Sequence, residues 1–164
     1  MFIRNARNED LPRLIEIYEA ARKFMVEHGN PRQWAASGWP TDERVRKDIE
    51  EQRNYVCEED GHIGAVFYYI FGEEDPTYTE IVGSWLDSGP YGVVHRIATD
   101  GSLKGAGEFC LRWAIEKSGH LRIDTHPDNA NMLGLLDRLG FTRCGVIHVE
   151  EDNDPRYGFE IVRR

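Results

Sequence analysis

The stretch from Val93 to Trp113, VVHRIATDGSLKGAGEFCLRW, concentrates residues that can do chemistry. An apolar run leads through a turn into Gly105-Ala106-Gly107, where a helix is expected to start. A helix N-terminus leaves backbone N–H groups without partners and carries partial positive charge. Glycine permits dihedrals that shape an anion-binding concavity and lets a ligand approach closely. Such a turn suits a phosphate or pyrophosphate. It is not a Walker A loop, which needs Gly-Lys-Ser/Thr, and it is not a complete Rossmann GxGxxG. A GxG alone is equally a plain strand-to-helix turn. His95 in the same stretch, and Asp124 and His126 further on, offer imidazoles and a carboxylate for proton transfer. Each has a structural alternative: a buried hydrogen-bonded histidine, an ion pair of Asp124 with Arg122 or Arg96, and a turn at His126-Pro127-Asp128-Asn129. The spacing of the three fits no standard zinc pattern and cysteine ligands are absent, so no metal is expected.

The elements that must position these groups follow from periodicity and punctuation. Phe2 to Ala6 reads as a strand. Asn8 or Asp10 can cap a helix with Pro12 in its first turn, and Leu11, Leu14, Ile15, Tyr18, Ala21 and Met25 recur at helical spacing. His28 to Pro40 breaks the pattern. Thr41 caps a second helix running to about Arg53, with Asp42 and Glu43 at its positive end. Asn54–Glu59 and Ile63–Phe71 form a hairpin turned by Asp60-Gly61. Further strands are expected at Tyr91–Ala98, Leu121–Thr125, Phe141–Val149 and Phe159–Arg163. Helices are expected at Glu108–Lys117 and Asn129–Leu139, the latter closed by Gly140. This order describes an α/β chain, a mixed sheet with helices on its faces.

The 164 residues suit one domain spanning 1–164. Hydrophobic residues make up 40% and charged residues 30%, which excludes wholesale disorder. The net charge of −9 repels phosphate backbones and anionic lipid, so neither nucleic acid nor membrane is an expected partner. Cys57, Cys110 and Cys144 are odd in number and widely spaced, as reduced, mostly buried thiols are. No stretch approaches the ~20 apolar residues of a membrane span, and the opening MFIRNARNEDL has no apolar signal core. A cytoplasmic location is expected.

Three segments together resemble the GCN5-related N-acetyltransferase (GNAT) superfamily along nearly the whole chain. IRNARNEDLPRLIEIYEAAR is similar to its opening strand and first helix. SLKGAG stands where the family has its Q/R-x-x-G-x-G/A pyrophosphate loop, and DNANMLGLLDRLGF is similar to its later helix. The resemblance implies an acyl-CoA N-acyltransferase fold, with a central, mostly antiparallel sheet splayed between its fourth and fifth strands and helices on both faces. It implies acetyl-CoA as the acyl donor, with the pantetheine arm along Ile97, Ala98 and Thr99. The pyrophosphate would lie at the N–H groups of Lys104, Gly105, Ala106, Gly107 and Glu108, and the helix beginning at Asn129 would face the thiol. A backbone N–H near His95 to Ile97 would polarise the thioester carbonyl.

The resemblance also offers candidates for the proton acceptor, Asp124 first and His95 second. Asp124 matches a position where some members carry a catalytic Glu. His95 shares strand parity with positions where others place their base. Two departures stand out: Ser102 replaces the usual Gln or Arg, with Lys104 nearby to compensate, and Leu136 replaces a tyrosine that protonates the leaving thiolate. Tyr91, Tyr157 and Cys144 are substitute donors to consider. The acceptor side would draw on Trp34, Trp39, Tyr78, Trp85 and Tyr91 with Glu73, Glu74, Asp75 and Asp87. Such aromatics and acids suit an amine; the alternative, favoured for most of them taken singly, is that the aromatics are core and the acids a solvated rim. The expected activity is transfer of an acetyl group to a primary amine by direct attack, on a small molecule. The alternatives are a protein or peptide acceptor, or a weakly catalytic acyl-CoA-binding module. A monomer or homodimer is expected.

Overall fold

Strand alternation sorts the side chains onto two faces, and each face is covered by its own pair of helices. The computed structural model of the protein describes residues 1–149, 152 and 154–163. Strands β1 (Phe2–Asn5), β2 (Asn54–Glu59), β3 (His62–Phe71), β4 (Val82–Gly83), β5 (Gly92–Thr99), β6 (His120–Thr125), β7 (Thr142–His148) and β8 (Pro155–Val162) form one sheet. Its order is β1-β2-β3-β5-β6-β8-β7-β4. Every neighbouring pair is antiparallel except β5 and β6.

Helices α1 (Leu11–Glu27) and α2 (Asp42–Glu50) cover one face. Leu14, Ile17, Tyr18 and Ala21 of α1 and Val45 and Ile49 of α2 pack there on Val56, Val66 and Ala98. Helices α3 (Ala106–Ser118) and α4 (Ala130–Leu139) cover the other, where Cys110, Leu111, Ala114 and Leu136 meet Cys57, Ala65, Phe67 and Val94. Adjacent residues such as Val56 and Cys57, or Val66 and Phe67, therefore enter opposite cores, as a period of two requires. Helix α3 is the crossover that a parallel pair needs.

Most expected elements are present, with adjusted ends. Asp60 and Gly61, at φ 50° and 78°, turn the β2–β3 hairpin with Glu59 opposite His62. Thr41 Oγ1 accepts the Arg44 N–H at 3.1 Å and caps α2, which stops at Glu50 rather than near Arg53 because Gln52 turns left-handed at φ 58°. Ile17 rather than Ile15 joins Leu14 and Tyr18 among the most deeply buried positions on α1. Helix α3 starts at Ala106 rather than Glu108, and β8 starts at Pro155, four residues before the expected Phe159. The two-residue β4 was not expected. It sits against β7 where Gly83 and Gly145 approach so closely that a Cβ on Gly145 would lie 2.3 Å from the Val82 carbonyl oxygen. With β4 counted, the strands that part are the fifth and sixth.

Candidate active site

The pairing of β5 with β6 covers Gly92↔Leu121 and Val93↔Arg122 and then ends. Beyond Val93 the two parallel strands diverge and leave the edge of β5 open. The other edge carries a bulge. The register with β3 runs from Ala98↔Val66 to His95↔Tyr68, so Arg96 and Ile97 stand opposite Phe67 alone. Arg96 takes φ 51°, an uncommon value for a residue with a side chain. The hydroxyl of Tyr18, a buried residue of α1, donates to the Arg96 carbonyl at 2.6 Å and helps hold this conformation.

The extra residue shifts the alternation. Val94 and Ile97 face the α3/α4 core, while Val93 and Ala98 face the opposite side. His95 and Arg96 consequently both point toward the α1/α2 side of the sheet. Arg96 Nε and Nη2 donate to Asp48 of α2 at 2.9 and 3.0 Å. His95 Nε2 donates to Asp75 Oδ2 at 2.7 Å, and its Nδ1 lies 3.8 Å from Asp124 Oδ2. The Tyr78 hydroxyl donates to that same Asp124 oxygen at 2.7 Å.

His95, Asp75 and Asp124 keep between 11% and 18% of their side-chain surface exposed, at the mouth of the gap between β5 and β6. Burial pushes the Asp75 carboxyl up. The His95 bond and charge and the Thr77 N–H at 2.9 Å outweigh it, and hold the group below the usual carboxylate value. Burial, and next the charge of Asp124, push the Tyr78 phenol well above its ordinary value. An anionic Asp75 fixes the tautomer with the proton on Nε2, which leaves Nδ1 a lone pair facing the gap. Asp124 Oδ1 accepts no hydrogen bond among the described residues. Two adjacent proton acceptors thus share one small space.

Two cavities meet along the open edge of β5. One, of about 390 Å³, contains His95, Asp75 and Asp124. The other, of about 650 Å³, runs from Ile97, Ala98 and Thr99 to Lys104 and Glu108 at the start of α3. Ile97, Asn129, Met25 and Met132 line both. At the second cavity Gly105 is left-handed at φ 76° and caps α3. The Ala106 N–H turns back to the Leu103 carbonyl at 3.2 Å, and the first helical bond runs from Phe109 to Gly105. The N–H groups of Gly107 and Glu108 therefore leave the helix end without partners among the described residues. Within the expected anion-binding group, the Ala106 N–H is engaged and its side chain is buried in the core. The loop before α3 is pinned because Gly64 has no side chain. A Cβ there would lie 2.5 Å from Leu103 Cγ.

Asn129 caps α4 by accepting the Met132 N–H at 3.1 Å and donates to Gln33 at 2.9 Å, so it stands at the junction of the cavities. His126 lies outside this group. Its Nδ1 accepts the Asp128 N–H and its Nε2 donates to Asp154 at 2.9 Å. Among the described residues no three His, Cys, Asp or Glu side chains are grouped to hold a metal ion.

No family model matches the sequence, and no curated protein matches it. Solved structures do. A GNAT-family acetyltransferase from Streptococcus agalactiae superposes with a TM-score of 0.86 at 28% identity, covering 99% of this chain and 95% of that one. The chain belongs to the GNAT superfamily. A ribosomal-protein-alanine N-acetyltransferase from Brucella melitensis, at 17% identity and TM-score 0.64, covers 99% of both chains. A protein described as a putative phosphinothricin N-acetyltransferase, at 18% and 0.65, covers 99% of this chain and 98% of its own. These last two share the fold.

Against the GNAT pattern, the departures take physical form. Ser102 does not face the second cavity. Its hydroxyl donates to Asp100 and lies 2.7 Å from His62 Nε2. Leu136 is fully buried in the α3/α4 core. The expectation that position 136 faces the thiol is corrected: Met132, one turn earlier, lines both cavities instead. Neither Tyr91, Tyr157 nor Cys144 lines either cavity. The Tyr91 hydroxyl accepts the Asp75 N–H at 2.8 Å, and its ring, with that of Trp85, holds the Arg122 guanidinium. Trp34, Trp39 and Asp75 do line the first cavity, while Tyr78 touches Asp124 from behind and Glu73 pairs with Arg53. Sequence reading missed the basic side of that cavity, formed by Arg44, Lys47, Arg53 and Arg96. Helical spacing places Arg44 and Lys47 on one face, but the bulge that aims Arg96 has no sequence signal.

Proposed function

We propose that the protein transfers an acetyl group from acetyl-CoA to the primary amine of a small molecule. One observation carries this reading: the unpaired edge of β5 joins an anion-suited helix end at one cavity to a pair of proton acceptors at the other. Bound acetyl-CoA would supply an acyl thioester, whose C–S bond is exchanged for a C–N bond. The residues fit it. Ile97 to Thr99 offer unpaired strand edge for an amide-bearing arm, and Gly107 and Glu108 offer N–H groups to the pyrophosphate. Exposed Lys104 adds positive charge beside them.

The chain's own groups then do three things. Strand β5 orients the acyl end beside the bulge at Arg96-Ile97. His95, with Nε2 bound by Asp75, presents Nδ1 as the atom that takes the amine proton. Asp124, fixed by Tyr78, either accepts that proton itself or stabilises the charge at Nδ1 3.8 Å away. Positioning of this kind supplies several kcal/mol.

A small acceptor is favoured because the first cavity is walled by α1, α2, the segment joining them, β5, β6 and α4. Its volume, about 390 Å³, falls at the small end of the roughly 300–1,000 Å³ of ligand pockets. The test is thiol release from acetyl-CoA across a panel of small amines and N-terminal peptides. Turnover of small amines supports the reading. Release with peptides alone, or acetyl-CoA binding without release by any amine, overturns it.

A further inference from the structure

The first cavity carries opposite charge at its two ends. One end holds Asp75, Asp124 and His95. The other holds Arg44, Lys47 and Arg53 from α2 and the chain just after it, and Arg96 from the bulge. We propose that the amine accepted here also bears a carboxylate, so that its nitrogen lies at His95 and Asp124 and its anion at Arg44 and Arg96. This rests on the transferase reading above and narrows it to an amino acid-type substrate.

Ion pairing does not use up the basic end. Asp48 is 1% exposed and is shared by two guanidinium groups. Arg44 donates to it through Nε and Nη2 at 3.0 and 2.8 Å, and Arg96 through Nε and Nη2 at 2.9 and 3.0 Å. One carboxylate cannot neutralise both. Glu51 is shared more loosely, at 3.7 to 4.0 Å, among Arg44, Lys47 and Arg53, and Glu73 pairs with Arg53 at 3.2 Å, so four cations face three carboxylates. The Nη1 groups of Arg44 and Arg96 donate to nothing among the described residues. Asp48 thus works as a bracket that holds two guanidinium groups side by side and leaves net positive charge with spare donors. Planar guanidinium donors match a carboxylate.

The span is short. The Tyr68 ring touches both ends, its centroid 5.7 Å from that of His95 and 4.7 Å from Arg96 Cζ. The imidazole and the Arg96 guanidinium carbon therefore lie within about 10 Å of each other, a reach that an amine and a carboxylate joined by a few carbon atoms can match. The left-handed bulge supplies the reason for its own strain. Without the extra residue, Arg96 would face the α3/α4 core instead of this cavity.

The experiment compares matched acceptors that differ by the carboxylate: 4-aminobutyrate with butylamine, and lysine with cadaverine. kcat/KM is read by thiol release, and acetyl-CoA affinity by calorimetry. The wild-type enzyme should prefer the carboxylated member of a pair by about tenfold or more. Arg44→Gln should raise KM for that member about 10–100-fold and change kcat/KM for its neutral partner less than about threefold. Acetyl-CoA affinity should be unchanged. Lys47→Glu, on an exposed side chain, should move KM the same way without the folding risk of Arg96. Equal or better turnover of the neutral amines, with both variants behaving like wild type, overturns the inference while the transferase reading stands. Acetyl-CoA binding with no release for either member of any pair overturns both.

Discussion

Gly105→Glu tests the anion site directly, and the structure sets its size. Gly105 has φ 76°, and a Cβ built there meets nothing within 4 Å. A side chain therefore fits, and its cost to folding is the left-handed backbone, about 1–2 kcal/mol for any L-residue. Gly105→Ala carries that cost without charge and serves as the control. The added carboxylate would stand beside the Gly107 and Glu108 N–H groups that the pyrophosphate is proposed to use. Two unit charges 4 Å apart repel by about 1 kcal/mol in water and about 4 kcal/mol at the effective dielectric of a protein surface. At this partly open site about 2–4 kcal/mol is expected, which weakens CoA binding about 30–1,000-fold. Calorimetry at low salt should show that loss for the Glu variant and less than about fivefold for the Ala variant. Near 1 M salt, where the screening length is about 3 Å, the gap between them should shrink. If both variants bind CoA with the same affinity at low salt, the phosphates do not sit at this helix end.

Asp124→Asn keeps the shape of the site and removes its basicity. A fall in kcat of about 10²–10⁴-fold, with acetyl-CoA affinity retained, is expected if Asp124 itself accepts the proton, whereas a small loss together with a large one for His95→Gln leaves that role with Nδ1. Tyr91→Phe, Tyr157→Phe and Cys144→Ala should each leave turnover within about fivefold, since none lines a cavity; a loss of about 100-fold in any of them would name a thiolate-protonating acid. Asp10 ties β1 to the start of α1. Burial pushes its carboxyl up, but Arg4 at 2.8 and 3.3 Å and the Arg7 N–H at 2.8 Å pull it below the usual value. The stability it adds is thus present above the ordinary carboxylate range and lost as pH falls through its lower folded value. Asp10→Asn should lower Tm by about 2–8 °C at pH 7, and the difference from wild type should close below about pH 3 in a melting series.

The parts of the fold legible in the sequence are those set by local chemistry. Thr41, Asp60-Gly61, Asn129 and Gly140 each act through their own hydrogen bond or dihedral, and each ends or turns an element near where it was expected. The two cores follow from alternation that any reader can count. What was not legible depends on pairing between distant segments. Strand β4 exists because two glycines let it approach β7, although neither residue marks a strand by itself. The early start of β8 is set by its ladder with β7, where His148 meets Pro155. Leu136 was misassigned for a related reason. A helix pattern shows which residues share a face, but whether that face meets the core or the cleft depends on what packs against it.

The bulge in β5 shows why the site was harder to read than the scaffold. His95 and Arg96 are neighbours in sequence, so regular alternation puts them on opposite faces. They lie on one face instead, with imidazole toward Asp75 and Asp124 and guanidinium toward Asp48. A single extra residue achieves this at the cost of one positive φ, and the Tyr18 hydroxyl and the Asp48 carboxylate secure the strained residue from two sides. The same shift leaves Arg96 and Ile97 without a regular pairing on β3, at the point where β5 has already lost β6. Backbone groups thereby become available at the junction of the two cavities. Acid–base groups, cationic donors and free strand edge thus share one local cause. No composition or spacing rule detects it, because it is a matter of register between β3 and β5.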